Sequence, residues 1–394
     1  MTNEAFKTDL TKELKDNIIP YWMTKAKDLH HGGFIGQIDG NETPYPDAPK
    51  GAILHARILW TFSAAYSLLQ DPKYLEIANE TQAYFLNHFM DHSFDGVYWL
   101  IDSNGHPLDT KKQMYAQGFA MYGLSEHARV TRNQQSLDEA IKLYHLIEEK
   151  SFDRQRNGYF EAFTQDWKDI PDMRLSLKDA NEKKTMNTHL HILEAYTNLF
   201  RVWTSDVLKT SLDNLINLFL DYFIDPETGH LNLFFDEKWN KKEGVISYGH
   251  EIETSWLLHE AAIVLGDKAL QTKVEKALPK IIKAAREGIQ PDGSLLYELN
   301  TQTGEIDSER HWWVQAENVV GLWKAYKLFG MEQYKEEALA CWNYIQQHTI
   351  DHEHGEWVWS TFADGSVNRA GDKAGFWKCP YHNSRMCIEI IQDM

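Results

Sequence analysis

Apolar residues recur every three or four positions along most of the chain, which is the spacing of amphipathic α-helices. Phe6, Leu10, Leu14 and Ile18 show this spacing in the first helical segment. The pattern predicts twelve helices arranged as six pairs. The first helices of the pairs are predicted over 4–27, 73–92, 135–151, 205–224, 267–287 and 332–349. The second helices are predicted over 50–69, 112–131, 184–203, 248–265, 310–329 and 379–393.

A glycine followed by an aromatic or aliphatic pair separates the two helices of each predicted pair. The six glycines are Gly33, Gly96, Gly158, Gly229, Gly293 and Gly355. Subtracting successive positions gives separations of 63, 62, 71, 64 and 62 residues. Several of these glycines follow Asn or Asp, which is a turn signal. A nearly constant period of this length indicates one supersecondary unit that is used six times.

Six helical hairpins can either stack as an open solenoid or close into a ring. An open solenoid needs polar units at its ends, whereas the terminal units of this chain keep the same motif as the middle ones. The sequence therefore predicts an all-α fold, an (α/α)6 barrel with short β-hairpins in its loops, as one catalytic domain over residues 1–394. The second helices are expected to form the inner circle, with their N-termini converging on one end.

Composition and net charge argue against some classes of binding partner. The 394 residues carry a formal net charge of -18, which argues against nucleic acid and anionic membrane surfaces. The first residues lack the apolar run of a signal peptide, and three cysteines without metal-ligand spacing suit a reducing compartment. We expect a cytoplasmic protein, monomeric or homodimeric, that binds a small molecule. Fourteen tryptophans serve cores, but they also line sugar-binding clefts.

The stretch from Ser247 to Glu260 carries the most informative local motif. His250 and Glu253 are three residues apart in the first turn of a predicted helix, so they share one face. A carboxylate behind a histidine fixes its tautomer and makes it a general base. The structural alternative is an ordinary ion pair at a helix start. The functional interpretation is favoured because the other inner helices begin with comparable residues.

Polar and aromatic residues stand near the predicted N-termini of all six inner helices. These candidates are Arg57, Tyr115, Asn187, His191, His250, Glu253, Trp312, Trp313, Trp377 and His382. Since the helix starts converge, we expect these side chains to line one cleft. The loop over 160–183 is the longest insertion, contains Trp167 and Arg174, and is the candidate lid.

The remaining histidines and the absence of cofactor-binding motifs in the sequence argue against a metal or cofactor site. His55 is interpreted as a packing residue and His259 as a core residue, whereas His189 is left out of the site because it points to another side of its helix than His191. Metal-binding histidines usually come four apart on one helix, or with cysteines at short spacing, whereas the candidate histidines of the site lie on three different helices. Glycine-rich phosphate loops and the Gly-x-Ser-x-Gly nucleophile motif are also missing from the sequence. We therefore expect no metal and no cofactor.

Five segments together resemble the cellobiose 2-epimerases, which belong to the N-acylglucosamine 2-epimerase superfamily of (α/α)6 barrels. The segments cover 50–60, 184–196, 247–253, 312–317 and 377–383. The resemblance extends over essentially the whole chain. It implies that the family's site positions are Arg57, Asn187, His191, His250, Glu253, Trp313, Trp377 and His382, with Tyr115 matching more loosely. Glu251 and Ser384 depart from the family pattern, which has Asp and Gly there. They are expected to affect the pH optimum and turn geometry.

The resemblance implies inversion of C2 at the reducing-end glucose of a β-1,4-linked disaccharide through an enediolate. His250, backed by Glu253, and His382 would exchange the C2 proton on opposite faces. Arg57, Asn187 and His191 would hold the developing oxyanion, and the tryptophans would stack on the sugar rings.

Three alternatives stay open at the level of sequence. One is a related N-acylglucosamine 2-epimerase or an aldose–ketose isomerase. Another is an inverting glycoside hydrolase, which would need two carboxylates about 6.5–9.5 Å apart; Glu253 and Glu298 are the candidates. The third is a sugar-binding protein without activity, which would not need histidines on two separate inner helices.

Overall fold

The structure is a computed structural model that describes residues 1–242 and 244–394. Its helices are α1 (Asn3–Lys12), α2 (Ile19–Thr24), α3 (Ala52–Leu69), α4 (Pro72–His88), α5 (Met114–Thr131), α6 (Gln134–Lys150), α7 (Met186–Phe200), α8 (Asp206–Leu218), α9 (Tyr248–Leu265), α10 (Lys268–Ala285), α11 (Trp312–Phe329), α12 (Glu332–Tyr344) and α13 (Tyr381–Gln392). A π-helical segment, Glu13–Ile18, joins α1 to α2 into one long outer helix. All twelve predicted helical segments are confirmed, with ends that differ by a few residues.

The second helix of each hairpin lies in an inner ring. The helices α3, α5, α7, α9, α11 and α13 pack against one another in this order, and α13 also packs against α3. The ring therefore closes, and the predicted (α/α)6 barrel is confirmed. Helix α3 is long and apolar enough to span a membrane by length and composition, but 78% of it is buried. An inner helix requires this composition because neighbouring helices cover it on several sides.

Short strands link each hairpin to the next at the end of the barrel where the inner helices begin. The strands are β1 (Lys50–Gly51), β2 (Leu100–Ile101), β3 (Pro107–Asp109), β4 (Lys112–Gln113), β5 (Ala162–Phe163), β6 (Lys184–Thr185), β7 (Phe234–Phe235), β8 (Val245–Ser247), β9 (Glu298–Asn300), β10 (Ile306–Asp307), β11 (Arg310–His311) and β12 (Ser360–Thr361). The antiparallel pairs β1–β2, β4–β5, β6–β7, β8–β9 and β11–β12 each join the residues before an inner helix to the following unit. A bridge between Ile38 and Ala374 joins the last unit to the first. These links hold the N-termini of the inner helices at one level.

The six repeat glycines occupy equivalent tight turns after the outer helices. Their φ angles lie between +64° and +88°, a region that favours glycine. An antiparallel bridge closes each turn. The bridged pairs are Lys27–Phe34, Met90–Val97, Phe152–Tyr159, Ile224–Leu231, Ile289–Leu295 and Ile350–Trp357. The repeat inferred from glycine spacing is therefore a repeat of backbone geometry.

The fourth residue of five inner helices accepts a hydrogen bond from the backbone of a glycine turn. These acceptors are His55, Gln117, His189, Glu251 and Gln315. The structural interpretation of His55 and His189 is thereby confirmed, since each Nε2 accepts a turn N–H. Burial lowers the pKa of both imidazoles to about 3, which keeps them neutral acceptors.

Glu251 and Ser384, the two departures from the family pattern, both occupy this fourth position. Glu251 accepts from Leu231 N at 3.2 Å and lies 2.8 Å from His230 Nδ1. It therefore serves the turn after α8, and we expect no direct effect on the neighbouring His250. An effect of Glu251 on the pH optimum stays a prediction, and it would act through His230 rather than through a contact with His250. The interpretation of His259 is corrected: it is half-buried beside Glu275 of α10 and not in the core.

Gly158→Ala is expected to destabilise the protein by about 2–4 kcal/mol, from left-handed backbone strain and a steric clash. Gly158 has φ +82°, and an added Cβ would lie 2.5 Å from Cζ2 of Trp239. Gly266→Ala is the matched control, because its φ is +79° with no atom within 4 Å of the added Cβ. Urea unfolding should show the control losing only about 1–2 kcal/mol. Equal losses would rule out the steric contribution.

Candidate active site

The inner helices begin around a cavity of about 360 Å³. All ten residues singled out in the sequence line this cavity: Arg57, Tyr115, Asn187, His191, His250, Glu253, Trp312, Trp313, Trp377 and His382. The residues converge because the short strands hold the N-termini of the inner helices at one end of the barrel.

Part of the predicted lid also lines the cavity. Leu175, Ser176, Lys178 and Asp179 contribute to its wall. Trp167 lies elsewhere, because its Nε1 donates to Phe94 O at 2.6 Å and anchors the loop on the preceding glycine turn. The candidate lid therefore has an anchored base and a segment over 175–179 at the cavity.

His382 has the geometry of a carboxylate-oriented base. Its Nδ1 lies 2.7 Å from Oε1 of Glu317. A carboxylate acceptor at Nδ1 places the proton there and leaves the lone pair on Nε2. Burial, together with the positive charges of Arg57 and Arg385, lowers the pKa of His382 well below its usual value. The imidazole is therefore neutral, and basic at Nε2, near neutral pH.

His250 has a different partner from the one predicted. Its Nδ1 lies 2.8 Å from Oγ of Ser247, the residue before α9. Among the described residues no contact joins His250 to Glu253, whose Oε1 instead accepts from Arg385 at 2.6 Å. The predicted His250–Glu253 pair is therefore wrong, because Glu253 is directed to α13 and His250 to the strand before its own helix. Burial lowers the pKa of His250 to about 3.

A second histidine–carboxylate pair lies on α7. Nδ1 of His191 is 2.9 Å from Oε2 of Glu194, and both side chains are buried. Burial lowers the pKa of His191, although Glu194 opposes this effect. The carboxylate leaves the Nε2 lone pair of His191 available, as Glu317 does for His382.

Arg57, Tyr115 and Asn187 complete the polar wall beside His191. Nη2 of Arg57 donates to the hydroxyl of Tyr115 at 2.8 Å, and the ring centroids of Tyr115 and His191 are 4.9 Å apart. Oδ1 of Asn187 is buried and has no partner among the described residues. A buried unpaired amide oxygen costs free energy, so a bound hydroxyl group would satisfy it.

The three tryptophans differ in what they can contact. Trp313 is half-buried, and its ring centroid lies 4.8 Å from that of His250 and 5.6 Å from that of His382. Trp377 is also half-buried, against Tyr115. Trp312 is 3% exposed and packs on Trp359, so it is mainly part of the wall. Among the three predicted tryptophans, Trp313 and Trp377 are therefore the two that offer a face for stacking.

Sequence reasoning assigned no role to Glu194, Glu317 and Arg385. Two signals could have found the carboxylates. Glu194 follows His191 by three residues, and Glu317 is the sixth residue of α11 as Glu253 is of α9 and His191 of α7. Aligning the six units at their helix starts reveals this shared position. Arg385 has no such signal.

Glu253, Glu317 and His382 have ligand atoms within 4.8 Å of one another, a set that by composition could hold a metal ion. Nη2 of Arg385, however, lies 2.6 Å from Oε1 of each of the two glutamates. The guanidinium already supplies the positive charge at the position where both carboxylates converge. The donor set therefore fits an arginine-centred ion cluster.

A closed six-hairpin ring with histidines, carboxylates and tryptophans at its inner helix starts defines a carbohydrate-active (α/α)6-barrel enzyme. The model of the N-acylglucosamine 2-epimerase family matches residues 33–384. The chain belongs to this family and is a carbohydrate epimerase.

Individual relatives agree over the full length. A cellobiose 2-epimerase of Bacteroides fragilis is 55% identical over 389 residues, 99% of each chain. The solved structure of a cellobiose 2-epimerase from Bacillus thermoamylovorans is 40% identical with a TM-score of 0.95, covering 99% of this chain and 100% of that one. A solved D-mannose isomerase is 19% identical with a TM-score of 0.85, covering 98% of each chain. This last similarity concerns the fold alone.

Proposed function

We propose that the protein inverts C2 of the reducing-end glucose of β-1,4-linked disaccharides without a cofactor. The reaction converts cellobiose to glucosyl-mannose and lactose to epilactose. The observation that carries the proposal is that His250 and His382, on separate inner helices, flank the same Trp313 ring in one cavity. Two separate proton-transfer groups beside one stacking face are what inversion of a sugar carbon requires. The 55% identical relative named cellobiose 2-epimerase supports the choice of substrate.

Ring opening comes first, because only the open-chain aldehyde makes the C2 proton acidic. His191 is suited to this step, since Glu194 holds its Nδ1 and leaves Nε2 to accept the proton of the O1 hydroxyl. As an imidazolium it then delivers this proton to O5 as the C1–O5 bond breaks, which leaves an aldehyde at C1 and a hydroxyl group at C5. Arg57, held by Tyr115, stabilises the negative charge that develops on O1 when the enediolate forms.

His382 is suited to removing the C2 proton. The proton moves to Nε2 of His382, and the electron pair of the C2–H bond forms the C1–C2 double bond of the enediolate. Glu317 then stabilises the imidazolium, since an opposite charge within hydrogen-bond distance favours the charged form. His382 is therefore the better base of the pair on geometric grounds.

His250 is suited to the opposite face of C2. The Ser247 hydroxyl at its Nδ1 can donate or accept, so it permits either tautomer. A negatively charged enediolate nearby raises the proton affinity of this buried imidazole. His250 would take up a proton at Nε2 and, as an imidazolium, deliver it to C2 in one direction, and as a neutral imidazole it would remove the C2 proton in the other.

Incubation with cellobiose followed by chromatography tests the proposal, with the protein first dialysed against EDTA. We expect a new disaccharide and full activity without added cofactor. Released glucose would indicate a hydrolase, a ketose would indicate an aldose–ketose isomerase, and unchanged cellobiose would leave binding alone. Activity that returns only with added zinc or manganese would contradict cofactor independence.

The hydrolase alternative is weakened by its own candidate residues. Glu253 Oε1 is bound to Arg385, and burial beside Glu317 raises the pKa of Glu253 to about 8. An inverting hydrolase needs one carboxylate that stays ionised to activate water. Burial also raises the pKa of Glu298, the other candidate, to about 7.

Trp377→Ala is expected mainly to raise KM, by about 10-fold or more, with kcat changed less. Stacking on the non-reacting sugar contributes largely equal binding to the ground and transition states, and Trp377 is a half-buried face of the cavity wall. Steady-state kinetics on cellobiose measures both constants. Trp203→Ala is the control, because Trp203 packs on Tyr144 away from the cavity. An unchanged KM with a strongly lowered kcat would place Trp377 with the catalytic groups.

A further inference from the structure

Arg385 lies at the centre of three carboxylates that come from three different inner helices. It is fully buried on α13, and it does not line the cavity. Nη2 lies 2.6 Å from Oε1 of Glu253 and 2.6 Å from Oε1 of Glu317, and Nη1 contacts Oε1 of Glu194. The guanidinium also stacks on the rings of Trp256 and Tyr381, 4.7 and 4.3 Å from their centroids.

Two of these carboxylates hold the histidines of the site. Glu194 places Oε1 on Arg385 and Oε2 on His191, whereas Oε1 of Glu317 contacts both Arg385 and His382. A buried carboxylate without a cation tends to take up a proton. A protonated carboxyl group could donate to Nδ1, which would move the histidine proton to Nε2 and remove the basic lone pair from the cavity.

We propose that Arg385 is a positioning residue that fixes the Nε2-basic tautomers of His191 and His382 together, by keeping Glu194 and Glu317 ionised and oriented. This inference deepens the proposed function, on which its consequence for catalysis rests. Burial alone would raise the pKa of Glu194, but Arg385 and His191 outweigh it and lower this pKa to about 2. Burial raises the pKa of Glu317, and the charge and hydrogen bond of Arg385 oppose this rise, so removal of Arg385 would favour the protonated form of Glu317.

A planar guanidinium is needed because one cation must reach three acceptors in different directions. Lysine offers a compact ammonium and cannot reproduce this fork. Arg385→Lys is therefore expected to keep one positive charge but to release at least one carboxylate. Misplacement of a catalytic group costs about 100-fold in rate, so we expect kcat to fall by about that factor. KM should change little, because Arg385 does not touch the cavity.

The tautomers of His191 and His382 provide a readout that would not change if Arg385 only stabilised the fold. Two-dimensional ¹⁵N spectra of histidine-labelled, substrate-free enzyme distinguish a protonated Nδ1 from a protonated Nε2. Arg385→Lys should shift His191, His382 or both towards the Nε2-protonated tautomer. The His250 signals should stay, because Ser247 and not a carboxylate holds its Nδ1. Arg286→Lys is the matched control: Arg286 forms a bidentate pair with Glu337 on the outer helices, so kcat and the spectra should stay unchanged.

A second variant covers the case in which Arg385→Lys does not fold. Arg385→Met with Glu253→Gln replaces the cation and one of its three partners by uncharged side chains, and Glu253→Gln alone is its control. The double variant should show the tautomer shift, and the single variant should not.

A folded arginine variant with wild-type tautomers at both histidines would overturn the positioning role, whatever its kcat. A shift of the tautomers with kcat unchanged would overturn its importance for the reaction. If the wild type epimerises no disaccharide but the tautomers shift, the proposed function falls and the positioning role stands. If the wild type epimerises a disaccharide but the variants keep the wild-type tautomers, the proposed function stands and the positioning role falls.

Discussion

His250→Asn and His382→Asn are each expected to abolish detectable epimer formation. A general acid or base typically contributes about 10²–10⁴ in rate, and inversion needs both faces of C2. One face can still exchange, because a remaining base can remove the C2 proton and return it to the same side. In D₂O at least one variant should therefore incorporate deuterium at C2 of recovered cellobiose over hours, as NMR or mass spectrometry would detect.

The carboxylate contacts refine this expectation. Glu317→Gln should resemble a milder form of His382→Asn, since it leaves the imidazole in place but removes the charge at its Nδ1. Glu253→Gln should not reproduce the His250 variant, because no contact joins these two side chains among the described residues. His259→Asn, on the contact with α10, is the control. If either histidine variant epimerised at nearly the wild-type rate, the two-base assignment would be wrong, and His191 would be the next candidate.

Glu356→Leu is expected to reduce the free energy of unfolding by about 3–5 kcal/mol, because it leaves a buried ammonium without its carboxylate. Glu356 and Lys378 are both fully buried, with Nζ 2.7 Å from Oε1. Trp22 of α2 donates to Oε2 at 2.6 Å, and Asn383 of α13 donates to Oε1 at 2.6 Å. This carboxylate therefore connects the first and last hairpins where the ring closes.

Urea unfolding of a double variant separates the charge from the hydrogen bonds. Glu356→Gln with Lys378→Met removes both charges and keeps one amide oxygen, which can accept from Trp22 or from Asn383 but not from both, because they donate to different oxygens of Glu356. Replacing both partners of a buried ion pair is often close to neutral, so the double variant should be more stable than Glu356→Leu. A loss below about 1 kcal/mol for Glu356→Leu would show that this pair does not stabilise the closure.

The repeat was readable in the sequence because glycine is favoured where the backbone of a tight turn takes a positive φ. The six glycines therefore mark six equivalent turns, and the intervening 3.6-residue periodicity marks the helices. The same reasoning brought all ten candidate side chains to one cavity, since closure of the ring makes the inner helix starts converge. His55 and His189 were separated correctly from His191 and His250 by their positions on the helix.

Side-chain partners across the ring could not be read from the sequence. The spacing of His250 and Glu253 permits a contact on one helix face. It does not show whether partners on other helices bind either side chain instead. In the structure Arg385 donates to Glu253, the Ser247 hydroxyl contacts Nδ1 of His250, and Glu317 contacts Nδ1 of His382. Arg385 and Glu194 are 191 residues apart, and only closure of the ring brings α13 close to α7.

The sequence by itself determined the six-hairpin repeat, the closed ring and the set of residues at the cavity, because these follow from local periodicity, turn chemistry and motif. The tertiary structure alone decided that Glu317 orients His382. That choice depends on distances between helices that are far apart in the chain, and a buried charge binds whichever partner the packing places within about 3 Å.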